Sequence, residues 1–191
     1  AIAATSLNLV LGYGGMISFG HAAFVGTGAY VASIAIAEGV ASAWLGWPAA
    51  ILASALLAWA IGAISLRTRG VYFIMITLAF AQKMFYLVNS MKAYGGDEGL
   101  TLPRRASLGF GLDLGNELVF YYVVLAILAA LLYALHRLVH SRFGRVIQAI
   151  RENETRAAAI GYPVYRYKLL CFVISGGIAG LPGALVANQS V

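Results

Sequence analysis

The chain has 191 residues, of which 61% are hydrophobic and 10% are charged, whereas about 25% of the residues in an ordinary soluble domain are charged. This composition excludes a soluble globular domain, and it also excludes a disordered chain, which carries few apolar side chains. The single cysteine, Cys171, excludes a disulfide-stabilised scaffold.

Five stretches with few charged residues predict an all-α, polytopic bundle of membrane-spanning helices, because one span needs about 20 residues. In chain order, the predicted spans are residues 16–37, 43–66, 71–91, 118–135 and 169–191. We interpret residues 1–11 as the end of an earlier or broken helix, since each glycine in residues 12–15 weakens a helix by roughly 1 kcal/mol. Residues 1–191 are expected to form one membrane domain, part of a longer protein, because both ends are apolar.

The net charge of +6 is concentrated in two loops on one side of the predicted bundle. Residues 136–168 contain seven Lys and Arg against two Glu, and Arg67 and Arg69 lie in the other basic loop. By the positive-inside rule, loops 67–70 and 136–168 are cytoplasmic, and the turn at Glu38 is external. The positive charge therefore predicts membrane topology and requires no nucleic acid partner.

The longer basic loop contains an amphipathic helical pattern. Apolar side chains recur at helical spacing through residues 143–158, and Gly161 and Pro163 then indicate a helix end. Such a helix could rest on the anionic surface of the lipid bilayer, but residues 157–159 are three alanines rather than bulky apolar anchors. We therefore favour a docking helix for a cytoplasmic partner.

Residues 1–37 contain no Asp, Glu, Lys or Arg, and His21 is their only histidine. Ionisable groups inside a membrane are functional candidates, although we favour a neutral imidazole that hydrogen-bonds a neighbouring helix. Ser18 lies three residues earlier, but no orienting carboxylate accompanies the pair, so an intramembrane hydrolase is not supported. Lys83 is expected to extend towards the outer interface, with a place on the substrate path as the alternative.

Small residues four positions apart predict close packing of the first and fifth spans, because helices that present small side chains can approach closely. The pairs are Ala22/Gly26, Gly28/Ala32, Gly176/Gly180 and Gly183/Ala187. Pro182 is expected to kink the fifth span. Tightly packed, broken helices suit a protein that changes between inward-open and outward-open states.

Several short motifs occur in an order typical of one family of membrane proteins. They are LNLVLGYGG at 7–15, SFGHAAF at 18–24, GAY at 28–30, RGVYF at 69–73, TLAFAQ at 77–82, GGDEGL at 95–100, FGR at 143–145, AIRENE at 149–154, GY at 161–162 and YK at 167–168. Together they resemble the LivM type of permease from branched-chain amino acid ABC importers.

This resemblance implies a multi-pass permease of the bacterial plasma (inner) membrane that moves branched-chain or related small amino acids. It implies four kinds of partner around the chain: a second, LivH-like permease subunit, two ABC ATPase subunits, an amino-acid-binding protein outside the membrane, and the bilayer. It implies no metal and no bound cofactor here, with ATP on the ATPases. The sequence accordingly has no Gly-x-x-x-x-Gly-Lys-Ser/Thr loop, and we expect no enzymatic activity.

The residues themselves and the resemblance together give candidate functional residues. The ATPase-coupling segment comprises Arg151, Glu152, Asn153, Glu154, Arg156, Ala157, Ala158 and Gly161. A candidate translocation path comprises Ser18, His21, Phe24 and Tyr30. An external loop that faces the binding protein comprises Gly95, Gly96, Asp97, Glu98 and Gly99. ATP-driven closure is expected to move the coupling segment and to tilt the fourth and fifth spans.

Other functions stay open on the residues alone. A secondary transporter or channel needs ion sites near the midplane, for which His21, the break at residues 12–15 and Lys83 are candidates. A membrane scaffold that transports nothing would use the basic loop as a lipid anchor. Within the permease family, urea or short amides are alternative substrates, and no residue in the sequence decides among them.

Overall fold

A computed structural model describes residues 1–37, 43–68, 70–90 and 117–189. In chain order, its α-helices are α1 (Ile2–Asn8), α2 (His21–Ala37), α3 (Ala43–Ser65), α4 (Val71–Ser90), α5 (Glu117–Val139), α6 (Arg142–Glu152), α7 (Glu154–Ala159) and α8 (Val164–Gln189). A π-helical turn, Leu9–Tyr13, continues α1. The all-α prediction is confirmed, and these described ranges contain no strand.

Four helices are long and apolar enough to span a membrane: Leu45–Ser65, Val71–Ser90, Leu118–Val139 and Val164–Gln189. The apolar helices Ile2–Tyr13 and His21–Ala37 are shorter. The first predicted span therefore starts too early, since residues 14–20 lie outside a helix and α2 begins at His21. Gly15 has a φ of 64°, a left-handed conformation that glycine adopts readily and that interrupts the helix.

The connection between the fourth and fifth predicted spans is shorter than predicted. Helix α5 continues to Val139 and α8 begins at Val164, so residues 140–163 connect them rather than residues 136–168. Arg137 lies in the last turn of α5, and Lys168 lies in the second turn of α8. A long basic side chain can reach the headgroup layer while its backbone remains helical, so a basic residue does not mark the end of a helix.

Helix α8 forms the centre of the bundle and packs extensively against α2 and α3. The ring of Phe172 on α8 contacts Phe24 of α2 and Phe73 of α4 edge to face, with ring centroids 5.5 and 6.1 Å apart. All three aromatic side chains are buried. This cluster joins three helices through a geometry that aromatic pairs prefer.

Small residues bring the backbones of α2 and α8 into contact. A Cβ added to Gly28 would lie less than 3.0 Å from the backbone of Gly180, and one added to Gly183 would lie less than 3.0 Å from the backbone of Val25. The packing predicted from the pairs that contain Gly28, Gly180 and Gly183 is therefore confirmed.

The remaining pair of small residues, Ala22/Gly26, behaves differently. A Cβ added to Gly26 meets no atom within 4 Å in the described part of the chain, so the Ala22/Gly26 pair makes no tight helix contact there. The prediction is wrong for this pair because Gly26 lies on the opposite face of α2 from α8. Pro182 lies inside α8, which continues to Gln189, so the proline does not end the helix.

Candidate functional site

The predicted coupling segment folds as the end of α6, a break at Asn153, and α7. The extended backbone of Asn153 is the C-cap of one helix and the N-cap of the next. Its backbone N–H donates to the carbonyl of Ala149 at 3.1 Å, and its side-chain Oδ1 accepts from the backbone N–H of Arg156 at 2.9 Å. Asparagine is among the best N-cap residues, so one side chain begins α7 directly after α6 ends.

A left-handed glycine ends α7. Gly161 has a φ of 98°, and its N–H donates to the carbonyl of Ala158 at 3.0 Å. The next N–H, of Tyr162, donates to the carbonyl of Ala157 at 3.2 Å. These two bonds satisfy carbonyl groups that a helix end leaves free. The glycine of the coupling motif therefore supplies the left-handed backbone conformation that ends α7.

The alanine patch divides between the interior and the surface. Ala157 is 4% exposed and packs inward, whereas Ala158 and Ala159 are exposed. Ile160 follows with 70% of its surface exposed. The segment therefore exposes a small apolar surface, while the buried Ala157 packs against the rest of the chain.

A cleft of about 320 Å³ lies between α6 and α7. Its lining residues are Ala149, Glu152, Asn153, Arg156, Ala157, Ile160 and Tyr162. The exposed side chains of Glu152 and Arg156 bring opposite charges to its edge. Apolar surface with charged edges is suited to receiving side chains of another protein.

Two residues in the first part of the coupling segment contact different helical elements. Nζ of Lys168 on α8 lies 2.8 Å from Oε2 of Glu154 on α7. The guanidinium of Arg151 on α6 donates through Nη1 to the carbonyl of Gly12 in the π-helical turn. These two contacts link α6 and α7 to α8 and to the turn that follows α1.

The candidate path residues lie in the first part of α2 and just before it. Ser18, His21 and Phe24 are buried, and Tyr30 is half-buried. Nε2 of His21 lies 2.8 Å from Oγ of Ser6 on α1, whereas Oγ of Ser18 accepts from the N–H of Gly20 at 3.3 Å. The structure thus pairs His21 with Ser6 and not with Ser18. The predicted hydrogen bond from His21 to a neighbouring helix is confirmed.

Buried serines that the sequence analysis did not single out also join helices. Oγ of Ser54 on α3 donates to the carbonyl of Phe24 at 3.0 Å. Oγ of Ser175 on α8 donates to the carbonyl of Ser6 at 2.5 Å. Hydroxyl groups in apolar helices commonly bond between helices, and this signal could have identified them.

A cavity of about 530 Å³ opens between α2 and α4. Its walls include Phe19, Gly26, Thr27, Gln82 and Phe85. Gly26 and Thr27 belong to α2, whereas Gln82 and Phe85 belong to α4. None of the candidate path residues lines this cavity. The remaining candidate on α4, Lys83, is exposed, and both interpretations of it stay predictions.

The structure bears only in part on the predictions about the external residues and about metal ions. The external loop of Gly95, Gly96, Asp97, Glu98 and Gly99 lies outside the described residues, as does Glu38. Within the described ranges, no group of three or more His, Cys, Asp or Glu side chains could hold a metal ion.

Comparisons with known proteins match nearly the whole chain to one family of membrane transport proteins. Residues 1–191 match the family described as branched-chain amino acid transport system / permease component. The chain is 30% identical over 206 residues to the high-affinity branched-chain amino acid transport system permease protein LivM of Salmonella typhimurium and to that of Escherichia coli. These alignments cover 96% of this chain and 48% of each LivM protein, so the chain spans about half the length of these relatives.

A second kind of permease is more distantly similar. LivH of Salmonella typhimurium is 25% identical over 207 residues, covering 98% of this chain and 66% of LivH. No solved structure gives a significant match.

Proposed function

The chain belongs to the family of branched-chain amino acid transport permeases, and from this premise we propose that it is a membrane-spanning subunit of an ATP-binding cassette importer. It moves branched-chain or related small amino acids across the bacterial plasma (inner) membrane. Two partner ATPases bind and hydrolyse ATP, and this chain itself needs no cofactor. A LivH-like permease subunit completes the pathway, and an external binding protein delivers the amino acid.

The observation that carries this proposal is the α6–α7 coupling segment. It connects α5 and α8, two helices that are long and apolar enough to span a membrane, and it exposes Ala158 and Ile160 on its surface. Charged side chains line the cleft beside them. A helix that served only as a lipid anchor would be expected to present bulkier apolar residues and a uniformly basic face.

The distribution of charge supports a cytoplasmic position for this segment. The basic residues Arg142, Arg145 and Arg166 are exposed within or beside it. The positive-inside rule places such residues on the cytoplasmic side, where ATP is available. A segment that contacts two membrane elements on that side is well placed to receive force from an ATPase.

Co-purification tests the docking surface. The complete chain is expressed with its second permease subunit and its ATPases, and Ala158→Trp is compared with the unsubstituted chain. Because Ala158 is exposed, a large ring there should block the ATPase without unfolding the permease. Ser90→Trp is the matched control, since Ser90 is exposed at the end of α4 and is predicted to lie near the outer surface.

The expected result is loss of ATPase from Ala158→Trp and retention by Ser90→Trp. Thermal unfolding confirms that both variants are folded. Equal recovery of the ATPase with both variants would contradict docking at α7. Uptake of radiolabelled leucine by the intact complex in liposomes, with valine, urea and acetamide as competitors, identifies the substrate class. ATP-independent uptake by the permease chain alone would favour a secondary transporter instead.

A further inference from the structure

Arg151 joins the coupling segment to the broken first helix. It lies in the last turn of α6, and its Nη1 donates a hydrogen bond to the backbone carbonyl of Gly12. Its aliphatic stem lies against the backbone of Gly15, since a Cβ added there would be 2.8 Å from Cγ of Arg151. One side chain therefore contacts both the end of the π-helical turn and the residue at which the chain changes direction.

The end of the π-helical turn is a suitable site for a cation. The N–H of Gly14 bonds the carbonyl of Leu9, and the N–H of Met16 bonds the carbonyl of Val10, both at 3.0 Å. Carbonyl groups at the end of a helix lack donors from the next turn and carry partial negative charge. Arginine supplies a permanent positive charge and donors in a planar arrangement. The Arg151 contact therefore stabilises this particular helix end.

The position of Arg151 distinguishes it from another arginine on the same helix. Arg145 is also exposed on α6, but its side chain forms no hydrogen bond or ion pair with the described residues. Both side chains add the same charge to the cytoplasmic surface. The difference between them is the contact with the π-helical turn.

We propose that Arg151 is a positioning residue that transmits movement of the coupling segment to the π-helical turn. The proposal rests on the proposed function, because it needs an ATPase that moves α6 and α7. Residues 14–20 connect this turn to α2, so the start of α2 moves with it. π-Helical turns interrupt regular helices and commonly lie at functional sites. The broken first helix is thus a moving element alongside α8.

The ratio of leucine uptake to ATP hydrolysis tests this role. The complete transporter, with both permease subunits, the ATPases and the binding protein, is reconstituted in liposomes. Arg151→Ala should lower the ratio about tenfold, the scale expected for loss of one charge-assisted hydrogen bond. Arg151→Lys should restore part of it, and Arg151→Gln, which keeps a donor without the charge, should give an intermediate ratio. Arg145→Ala is the matched control and should leave the ratio unchanged.

The outcomes separate this role from the proposed function. If the unsubstituted complex neither retains its ATPase nor takes up leucine, the proposed function fails. If that complex is active and the Arg151 variants keep its ratio, the transmission role is overturned and the proposed function stands. Lower ATPase recovery with an unchanged ratio would assign Arg151 to docking and would also overturn the proposal. Should Arg151→Ala not fold, the Lys and Gln variants decide by the same ratio.

Discussion

The ammonium group of Lys168 lies 2.8 Å from the carboxylate of Glu154 and joins α8 to α7. Both side chains are partly accessible, with 19% and 31% of their surfaces exposed. Lys168 lies in the second turn of α8, whose later turns form the centre of the bundle. The ion pair thus connects the coupling segment to the most buried of the long apolar helices in the described chain.

Removing either charge of this pair should lower stability slightly. Glu154→Gln and Lys168→Met should each cost about 1 kcal/mol or less, because solvent screens a partly exposed pair. The doubly reversed variant, Glu154→Lys with Lys168→Glu, should recover part of the loss. Thermal unfolding in detergent measures the effect. Glu152→Gln is the control, since Glu152 is exposed, and an equal loss there would argue against the ion pair.

Gly28→Ala should destabilise the helix bundle, because its new methyl group would overlap the backbone of Gly180. Overpacking of this kind costs about 1–3 kcal/mol. Gly26→Ala, two residues away on the same helix, should be neutral or slightly stabilising because its site is open and alanine favours a helix. Unfolding of the separate permease chain compares the two, and a larger loss for Gly26→Ala would contradict the observed packing of α2.

Ser6→Ala should destabilise the contact between α1 and α2. It removes the hydroxyl that lies 2.8 Å from Nε2 of His21 and leaves that buried ring nitrogen without its partner. An unsatisfied buried polar group costs about 1–3 kcal/mol. Thr5→Ala provides the comparison, because among the described residues the Thr5 hydroxyl bonds only to the carbonyl of Ala1, at the start of its own helix. Similar unfolding temperatures for both variants would exclude a structural contribution from the Ser6–His21 pair.

Substitutions of Gly161 should lower the free energy of unfolding least for Asn, more for Ala and most for Val. The φ of 98° disfavours side chains in general, asparagine tolerates left-handed backbone best, and β-branched valine tolerates it least. Alanine should cost about 1 kcal/mol, and because no atom of the described residues lies within 4 Å of the new Cβ, the cost is conformational. ATPase recovery should fall in the same order. If all three substitutions leave unfolding unchanged, the backbone conformation at this motif glycine has no energetic role.

The sequence by itself determined the class of protein, the all-α architecture and the family. Hydropathy is a local property summed along the chain, so stretches such as Val71–Ser90 and Leu118–Val139 could be recognised without tertiary information. The coupling segment could also be located, because helical spacing and the stop at Gly161 are local signals. Helix ends were less predictable, since basic side chains such as Lys168 can extend from inside a helix to the headgroup layer.

Only the tertiary structure decided which side chains meet. Spacing suggested that Ser18 accompanies His21. The helix is interrupted at Gly15, however, and the folded chain places Ser6 of α1 beside His21 instead. Spacing also treated Gly26 and Gly28 alike, although one faces an open cavity and the other touches α8. No local pattern indicates that Arg151 contacts Gly12, because residues far apart in the sequence meet only after the helices have packed.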